Sequence, residues 1–311
     1  MNYILNEVKF PSSDGKNTIY AEIYEPKNTA ARGVVQLVHG MIDYTGRYTE
    51  LADFLAQHGF ILAGNHHLGH GKSVSTPSDF GHFADKGGYS YVIEDVRSMN
   101  KRLHSLYPHL PIVMLGHSMG SFIARIYAKE YPATIEGLII HGTGGPNPLV
   151  GVGKALAGVI RSAKGARHKS ALINKMAFGA YNSRFPKEEG HNAWLTRDLE
   201  TVKDRDTNPF TSFEFSVSSY IDLFTFLGNS NSKAWFKGYP KELRTLVISG
   251  DMDPVGNYGK GPRYVYKQLM ISGVSSVKLK TYEGARHELF NETNRAEVFE
   301  DLLAWLEGAE K

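Results

Sequence analysis

Short apolar runs alternate with helical patterns along most of this 311-residue chain. The apolar runs occupy residues 34–38, 60–63, 112–115, 135–140 and 243–249. The run at 112–115 is uninterrupted, which is typical of a parallel strand that is covered on both faces. Apolar residues recur at helical spacing between or after these runs, at 48–58, 92–106, 122–127, 262–272 and 298–306. The alternation predicts an α/β fold in which helices cover both faces of a mostly parallel sheet.

The two ends of the chain complete the predicted sheet. Residues 5–10 and 18–24 alternate apolar and polar positions and are joined through Ser13-Asp14-Gly15-Lys16. This pattern predicts a hairpin at one edge of the sheet. Residues 277–282 form a last strand before the final helical pattern, so we predict eight strands in all.

The alternation stops after the sixth predicted strand and resumes about ninety residues later. The intervening residues are rich in aromatic side chains and carry amphipathic helical patterns at 149–162, 171–180, 193–203 and 220–227. An insertion at this point is expected to lie over the carboxyl ends of the strands, where open α/β sheets bind ligands. We therefore predict a core in two parts, residues 1–144 and 239–311, with a helical lid at residues 145–238.

Composition narrows the class of protein. With 41% apolar and 22% charged residues, the chain resembles an ordinary globular protein, and a net charge of +3 is too small to indicate nucleic-acid binding. The absence of cysteine excludes disulfides, thiolate metal sites and a cysteine nucleophile. The first ten residues lack a basic segment followed by an apolar stretch, so we expect no signal peptide and a cytoplasmic location. The longest weakly charged apolar stretch, residues 149–160, is too short to cross a bilayer.

The candidate nucleophile lies between a predicted strand and a predicted helix. The turn there is Gly116-His117-Ser118-Met119-Gly120. A Gly-x-Ser-x-Gly pattern is common by chance, but at a strand-to-helix junction it predicts a nucleophile elbow, in which a strained turn exposes the serine hydroxyl. The start of the following helix offers N–H groups and a positive dipole end that favour an oxyanion.

A serine hydroxyl needs a base, and the base needs an orienting acid. Asp251 and Asp253 follow the predicted strand at 243–249, and His287 follows the strand at 277–282. These groups lie at the carboxyl edge that presents Ser118, and their order along the chain is the order expected for this fold class. Spacing alone does not separate Asp253 from Asp251, because both point the same way along an extended segment.

Several segments together carry a family resemblance. They are His39-Gly40-Met41 followed by Gly46-Arg47-Tyr48, Gly69-His70-Gly71-Lys72-Ser73, the elbow at 116–120, Gly250-x-x-Asp253-Pro254-Val255 continuing to Gly261, and Gly284-x-x-His287. The chain resembles the lysophospholipase and monoacylglycerol lipase-like serine hydrolases of the α/β-hydrolase superfamily, over nearly its whole length.

The resemblance implies roles for particular residues. Asp253 inherits the role of the acid and His287 that of the base, and the backbone N–H groups of Met41 and Met119 correspond to the oxyanion hole. Asp251 is then a turn or supporting residue. The family needs no cofactor and no metal.

Two segments depart from the family pattern. The chain has Asn65-His66-His67-Leu68 where relatives usually show an acidic residue before His-x-Gly-His-Gly, and it has Ile42-Asp43-Tyr44 where Glu-His is common. We assign no roles to these residues. A metal site at His66, His67 and His70 is disfavoured because no carboxylate accompanies them. His117 is expected to be packed rather than basic.

The sequence therefore predicts a serine carboxylester hydrolase that cleaves a single-chain acyl lipid, such as a lysophospholipid or a monoacylglycerol. The alternatives are a short-chain carboxylesterase, a thioesterase or a peptidase of the same fold, and a catalytically silent ligand-binding protein. In the lid, an apolar stretch at 149–160 precedes basic residues, which are Arg161, Lys164, Arg167, His168 and Lys169. This pattern is typical of an amphipathic helix packed on the core, and it also suggests peripheral contact with a membrane or micelle.

Overall fold

An eight-stranded sheet forms the centre of the protein, whose computed structural model describes residues 1–308. The strand order is β1-β2-β4-β3-β5-β6-β7-β8. The strands are β1 (Tyr3–Pro11), β2 (Thr18–Pro26), β3 (Gly33–Val38), β4 (Phe60–Asn65), β5 (Ile112–His117), β6 (Gly137–His141), β7 (Arg244–Gly250) and β8 (Val277–Tyr282). β1 and β2 form the antiparallel edge hairpin, and β3 to β8 run parallel.

Helices cover both faces of this sheet, and every residue of the central strands β3, β4, β5 and β6 is therefore buried. One apolar cluster lies under α1 (Thr49–Gln57) and α10 (Arg295–Leu306). The larger cluster lies on the other face, under α2 (Gly88–Leu106), α3 (Met119–Glu130) and α9 (Lys260–Ile271). The predicted α/β-hydrolase fold with a mostly parallel sheet is confirmed.

Five α-helices lie between β6 and β7, within the range 145–238, which we call the helical insertion. They are α4 (Leu149–Lys164), α5 (Ala171–Phe178), α6 (Leu199–Thr207), α7 (Val217–Ser230) and α8 (Lys233–Lys237). α7 packs on α4 and also contacts α2 and α3 of the core. The division into 1–144, 145–238 and 239–311 stays a prediction, and residues 309–311 lie outside the described residues.

The helix expected at 193–203 begins later than the sequence suggested. Residues 193–195 form only a short 3₁₀ turn, and α6 starts after Asp198, whose carboxylate accepts hydrogen bonds from the N–H groups of Glu200 and Thr201. Between them, the Thr196 hydroxyl donates to the Asn291 carbonyl at 2.8 Å, and Arg197 pairs with Glu292. These tertiary contacts hold the chain extended, so the apolar spacing overestimated the helix at its start.

Candidate active site

Ser118 occupies the turn between β5 and α3 in a strained backbone conformation, with φ 55° and ψ −120°. Gly116 and Gly120, two residues before and after Ser118, allow the backbone of this turn to lie close to neighbouring backbone atoms. A Cβ on Gly120 would lie 1.9 Å from the Val38 carbonyl oxygen, and one on Gly116 would lie 2.4 Å from the Gly120 carbonyl oxygen. The strand, turn and helix predicted around Ser118 are all present, and positive φ at a non-glycine residue is a form of strain that clusters at functional sites.

His287 and Asp253 meet at the same edge of the sheet. His287 Nδ1 lies 3.0 Å from Asp253 Oδ1, and both side chains are almost fully buried. Asp251 lies elsewhere, because its Oδ1 accepts a hydrogen bond from the Gly284 N–H at 2.8 Å. The geometry thus pairs the histidine with Asp253 and leaves Asp251 to stabilise the turn that follows β8.

The loop after β3 is held by contacts on nearly every polar group of its backbone from Gly40 to Ile42. The Gly40 N–H donates to Asp43 Oδ2 at 3.3 Å, and the Gly40 carbonyl accepts from His39 Nδ1 at 2.9 Å. The Met41 carbonyl lies 3.5 Å from an Arg205 nitrogen, and the Ile42 N–H donates to His70 Nε2 at 3.2 Å. Of the three N–H groups of Gly40, Met41 and Ile42, only that of Met41 has no acceptor within residues 1–308.

Buried histidines lie behind this loop. The His39 ring packs against that of His67 with ring centroids 4.1 Å apart, and the His70 ring lies 5.3 Å from that of His39. Burial lowers the pKa of His67 to about 3 and that of His70 to about 4, so both rings are neutral at ordinary pH. Neutral rings suit their contacts, since His67 Nε2 binds the His39 carbonyl and His70 Nδ1 binds the Leu68 carbonyl. No group of histidines and carboxylates among residues 1–308 is arranged to hold a metal ion.

His117, the neighbour of Ser118, is buried between other rings. It packs against His141 at 4.4 Å and against His287 at 4.8 Å, and its Nδ1 lies 2.9 Å from the Tyr48 hydroxyl. Burial lowers the pKa of His117, although Asp43 opposes that shift. The ring is therefore packed and neutral.

A cluster of four buried charges lies next to His287. Arg47 binds both oxygens of Glu288, at 2.8 and 2.6 Å, and also Asp43 at 3.2 Å. Arg205, from α6, donates to Glu288 Oε1 at 3.2 Å. Although burial opposes it, the charge of Arg47 lowers the pKa of Glu288 to about 2, so the cluster contains two carboxylates and two guanidinium groups.

A cavity of about 1070 Å³ opens beside these groups. Ser118, His287, Met41 and Met119 all line it, together with residues of the helical insertion. Much of its wall is apolar, including Phe122, Leu149, Phe178, Leu223, Phe224 and Leu227. Trp194 of the insertion also lines the cavity and lies 5.2 Å from the His287 ring.

The sequence had pointed to Ser118, Asp253, His287, Met41 and Met119, and the structure brings all five to this edge of the sheet. It had not pointed to the charge cluster. Asp43 and Arg47 are four residues apart, and Glu288 follows His287 directly. These short distances along the chain could have indicated a charge cluster beside His287, whereas nothing in the sequence connects Arg205 to the other three residues.

The sheet order, the strained serine turn and the cavity at the carboxyl edge are together those of a serine hydrolase with the α/β-hydrolase fold. No helix among residues 1–308 is long and apolar enough to span a membrane.

Comparison with known proteins gives the family. Residues 29–294 match the family model Hydrolase_4, described as serine aminopeptidase, S33, and the chain belongs to this family. The chain is 33% identical to human monoglyceride lipase, over 95% of this chain and 88% of that protein. It is 28% identical to a monoacylglycerol lipase of Mycolicibacterium smegmatis, over 97% and 96% of the two chains. A solved thermostable carboxyl esterase of Bacillus coagulans superposes with a TM-score of 0.91 at 32% identity, covering 98% of each chain.

The recognised superfamily and the assignment as a serine hydrolase are therefore confirmed. The chain is a carboxylester hydrolase of the monoacylglycerol lipase-like group.

Proposed function

We propose that Ser118, His287 and Asp253 form a catalytic triad that hydrolyses the ester of a monoacylglycerol or a lysophospholipid. The observation that carries this proposal is the cavity lined by Ser118 and His287, whose walls are largely apolar side chains from the core and the helical insertion. An apolar wall of this kind suits one acyl chain.

In this mechanism, Asp253 orients His287 through the 3.0 Å contact at Nδ1. His287 takes the proton of the Ser118 hydroxyl, and the oxygen attacks the ester carbonyl. When the tetrahedral intermediate collapses, His287 returns the proton to the departing alcohol and an acyl-enzyme remains. Water deprotonated by His287 then releases the fatty acid and regenerates Ser118.

The oxyanion is held by the N–H groups of Met41 and Met119. Met119 is the first residue of α3, where an N–H has no carbonyl one turn earlier. The Met41 N–H has no acceptor within residues 1–308, while the polar backbone groups beside it, from the Gly40 N–H to the Ile42 N–H, are bound. Losing one such donor costs about a hundredfold to a thousandfold in rate.

A fluorophosphonate probe tests the mechanism. We expect the wild-type protein to be labelled at Ser118 and the Ser118→Ala variant to lose both labelling and ester hydrolysis. An unlabelled wild-type protein, or a Ser118→Ala variant that retains full turnover, would refute the triad.

A substrate panel tests the lipid preference. We expect aryl esters to be cleaved faster as the acyl chain lengthens, and an aminoacyl arylamide to be left intact. Monoacylglycerol and lysophosphatidylcholine with the same acyl chain then separate the two head groups. Preference for acetate or butyrate esters, for a thioester, or for the arylamide would replace the proposed substrate class with the corresponding alternative.

We also propose that the helical insertion touches lipid surfaces. α4 buries only Gly153 and Ala157, and it leaves Leu149, Val152 and Val159 exposed by 64%, 58% and 67%. The last turn of α4 carries Arg161 and Lys164, and α5, which contacts α4, adds exposed Leu172 and Met176. Apolar and cationic groups together favour binding to anionic interfaces.

Changing Arg161, Lys164 and Arg167 to glutamine is expected to weaken binding to anionic vesicles. A matched triple change at exposed lysines outside the insertion, at Lys9, Lys16 and Lys101, serves as the control. Equal binding by the two triple variants would contradict the proposal.

A further inference from the structure

Arg205 connects the helical insertion to the backbone of the proposed oxyanion hole. It lies on α6, and its side chain is only 7% exposed. Its guanidinium crosses to the core, where it donates to Glu288 Oε1 at 3.2 Å and lies 3.5 Å from the Met41 carbonyl oxygen. One residue of the insertion thus contacts both the residue after His287 and the residue that carries the free N–H.

The charge cluster is balanced only when Arg205 is present. Asp43 and Glu288 share Arg47, which lies within 3.2 Å of both carboxylates. Without Arg205, two buried carboxylates face a single guanidinium, and an uncompensated buried charge is strongly unfavourable. Asp43 also accepts from the Gly40 N–H, so a rearranged cluster disturbs the loop from this side as well.

The peptide between Met41 and Ile42 is held at both of its polar atoms. Its carbonyl faces Arg205, and its N–H donates to His70 Nε2. The His70 ring packs at 5.3 and 5.4 Å against Phe213 and Phe215, which belong to the helical insertion. The Met41 N–H belongs to the preceding peptide, whose carbonyl accepts from His39 Nδ1 at 2.9 Å. Both peptide planes that meet at the Met41 Cα are therefore held by contacts, and together they set the direction of the Met41 N–H.

We propose that Arg205 is a positioning residue, through which docking of the helical insertion on the core aligns the oxyanion hole and balances the charge beside His287. This inference rests on the proposed function. The contacts of Arg205 with Glu288 and the Met41 carbonyl form when the insertion packs on the core. The segment that lines the acyl cavity therefore also aligns the oxyanion hole.

The first test compares Arg205→Met, which removes the charge, with Arg205→Lys, which keeps it. Arg184→Met is the matched control, because Arg184 also joins the insertion to the core, through the Tyr258 ring at 3.7 Å, but is exposed and does not line the cavity. A short aryl ester below its aggregation concentration is the substrate, so that lipid binding plays no part. We expect kcat to fall about 10- to 100-fold in Arg205→Met, less than the full loss of a donor, with little change in KM. Arg205→Lys should recover part of that loss, and Arg184→Met should match the wild type.

The pH dependence separates positioning from a merely structural role. The titratable groups around His287 are Asp253 on the β7 side, His117 and His141 at the ends of β5 and β6, and the charge cluster. Tyr181 of the insertion interacts with Asp253. Removing Arg205 leaves two carboxylates and one guanidinium in the cluster. The excess negative charge favours the protonated form of the His287 imidazole. The acid limb of kcat/KM should therefore move to higher pH, by up to about one unit.

A second change restores the charge balance. In Arg205→Met with Glu288→Gln, one carboxylate and one guanidinium remain, so the acid limb should return toward its wild-type position. If Arg205→Met fails to fold, the kcat values of Arg205→Lys and of the double variant decide the question, because both variants keep the charge balance but change the contact with the Met41 carbonyl. Wild-type kcat with an unmoved acid limb in the variants that fold would overturn the role of Arg205.

Failure of this inference is distinct from failure of the proposed function. Labelling of wild-type protein by the fluorophosphonate tests the triad and does not depend on Arg205. If wild type is labelled and Arg205→Met is labelled equally fast, the triad stands and the positioning role is refuted. If wild type is not labelled at all, the proposed function fails first.

Discussion

The closest packing in the site concerns Gly120, and replacing it by alanine gives the sharpest geometric prediction. The added Cβ would lie 1.9 Å from the Val38 carbonyl oxygen and 2.5 Å from the His39 carbonyl oxygen. Both obstacles are backbone atoms of β3 and the loop that follows it, so neither can rotate away. Reaching even 3.0 Å from the nearer oxygen requires a shift of about 1.1 Å. Overpacking of this kind costs about 3 kcal/mol, and displacing a reacting group by about 1 Å costs about a hundredfold in rate.

Gly158→Ala is the matched control for this substitution. Gly158 lies inside α4, and a Cβ there meets nothing within 4 Å. Alanine is favoured over glycine in a helix by about 1 kcal/mol, so this variant should be slightly more stable than the wild type. Calorimetry should show the Tm of Gly120→Ala lowered by about 5–10 °C and that of Gly158→Ala unchanged or raised by a few degrees.

The hydrolysis rate separates local distortion from global unfolding. Measured well below the lowered Tm, Gly120→Ala should be at least about a hundredfold slower than wild type, because Ser118 and the first N–H groups of α3 move together. A Gly120→Ala variant with wild-type Tm and rate would refute the tight contact between α3 and β3 on which the elbow depends.

Further predictions concern acidic residues. Asp253→Asn should lower kcat by about 10⁴-fold, because Asp253 is the carboxylate beside His287. Asp251→Asn keeps an acceptor for the Gly284 N–H and should stay within a few-fold of the wild-type kcat. Equal losses of kcat in the two variants would contradict the pairing of His287 with Asp253. Burial in α7 raises the pKa of Asp222 to about 7, above its ordinary value of 3.8, so the folded state holds this proton more tightly and stability falls as pH rises from about 4 to 7. Asp222→Asn should therefore raise Tm at pH 8 and leave it nearly unchanged at pH 4, and an equal effect at both pH values would contradict the assignment.

Local features of the site followed from the sequence because they depend on neighbours along the chain. The apolar run before Ser118, the two glycines and the amphipathic pattern after it describe a strand, a turn and a helix, and the structure has all three. The edge hairpin at 3–26 and the parallel strands were predictable for the same reason, since burial on one or both faces leaves a periodic trace.

Choices between residues needed the fold. Asp251 and Asp253 have the same parity along the chain, so spacing left both open and the family resemblance favoured Asp253. The packing of the loops after β7 and β8 places Asp251 against Gly284 and Asp253 against His287. The start of α6 was misjudged at 193 because Thr196 and Arg197 are held by Asn291 and Glu292, which lie about 95 residues away.

The sequence by itself determined the class of chemistry, because a strand-turn-helix with Ser118 and two later strand ends with Asp253 and His287 follow from local pattern and chain order. Tertiary structure alone decided how the site is supported. Arg205, His70 and Glu288 are far apart along the chain, and they meet around one short loop because the helical insertion docks there. Contacts between buried charges leave no periodic trace in a sequence, since their energy depends on distance and burial rather than on spacing along the chain.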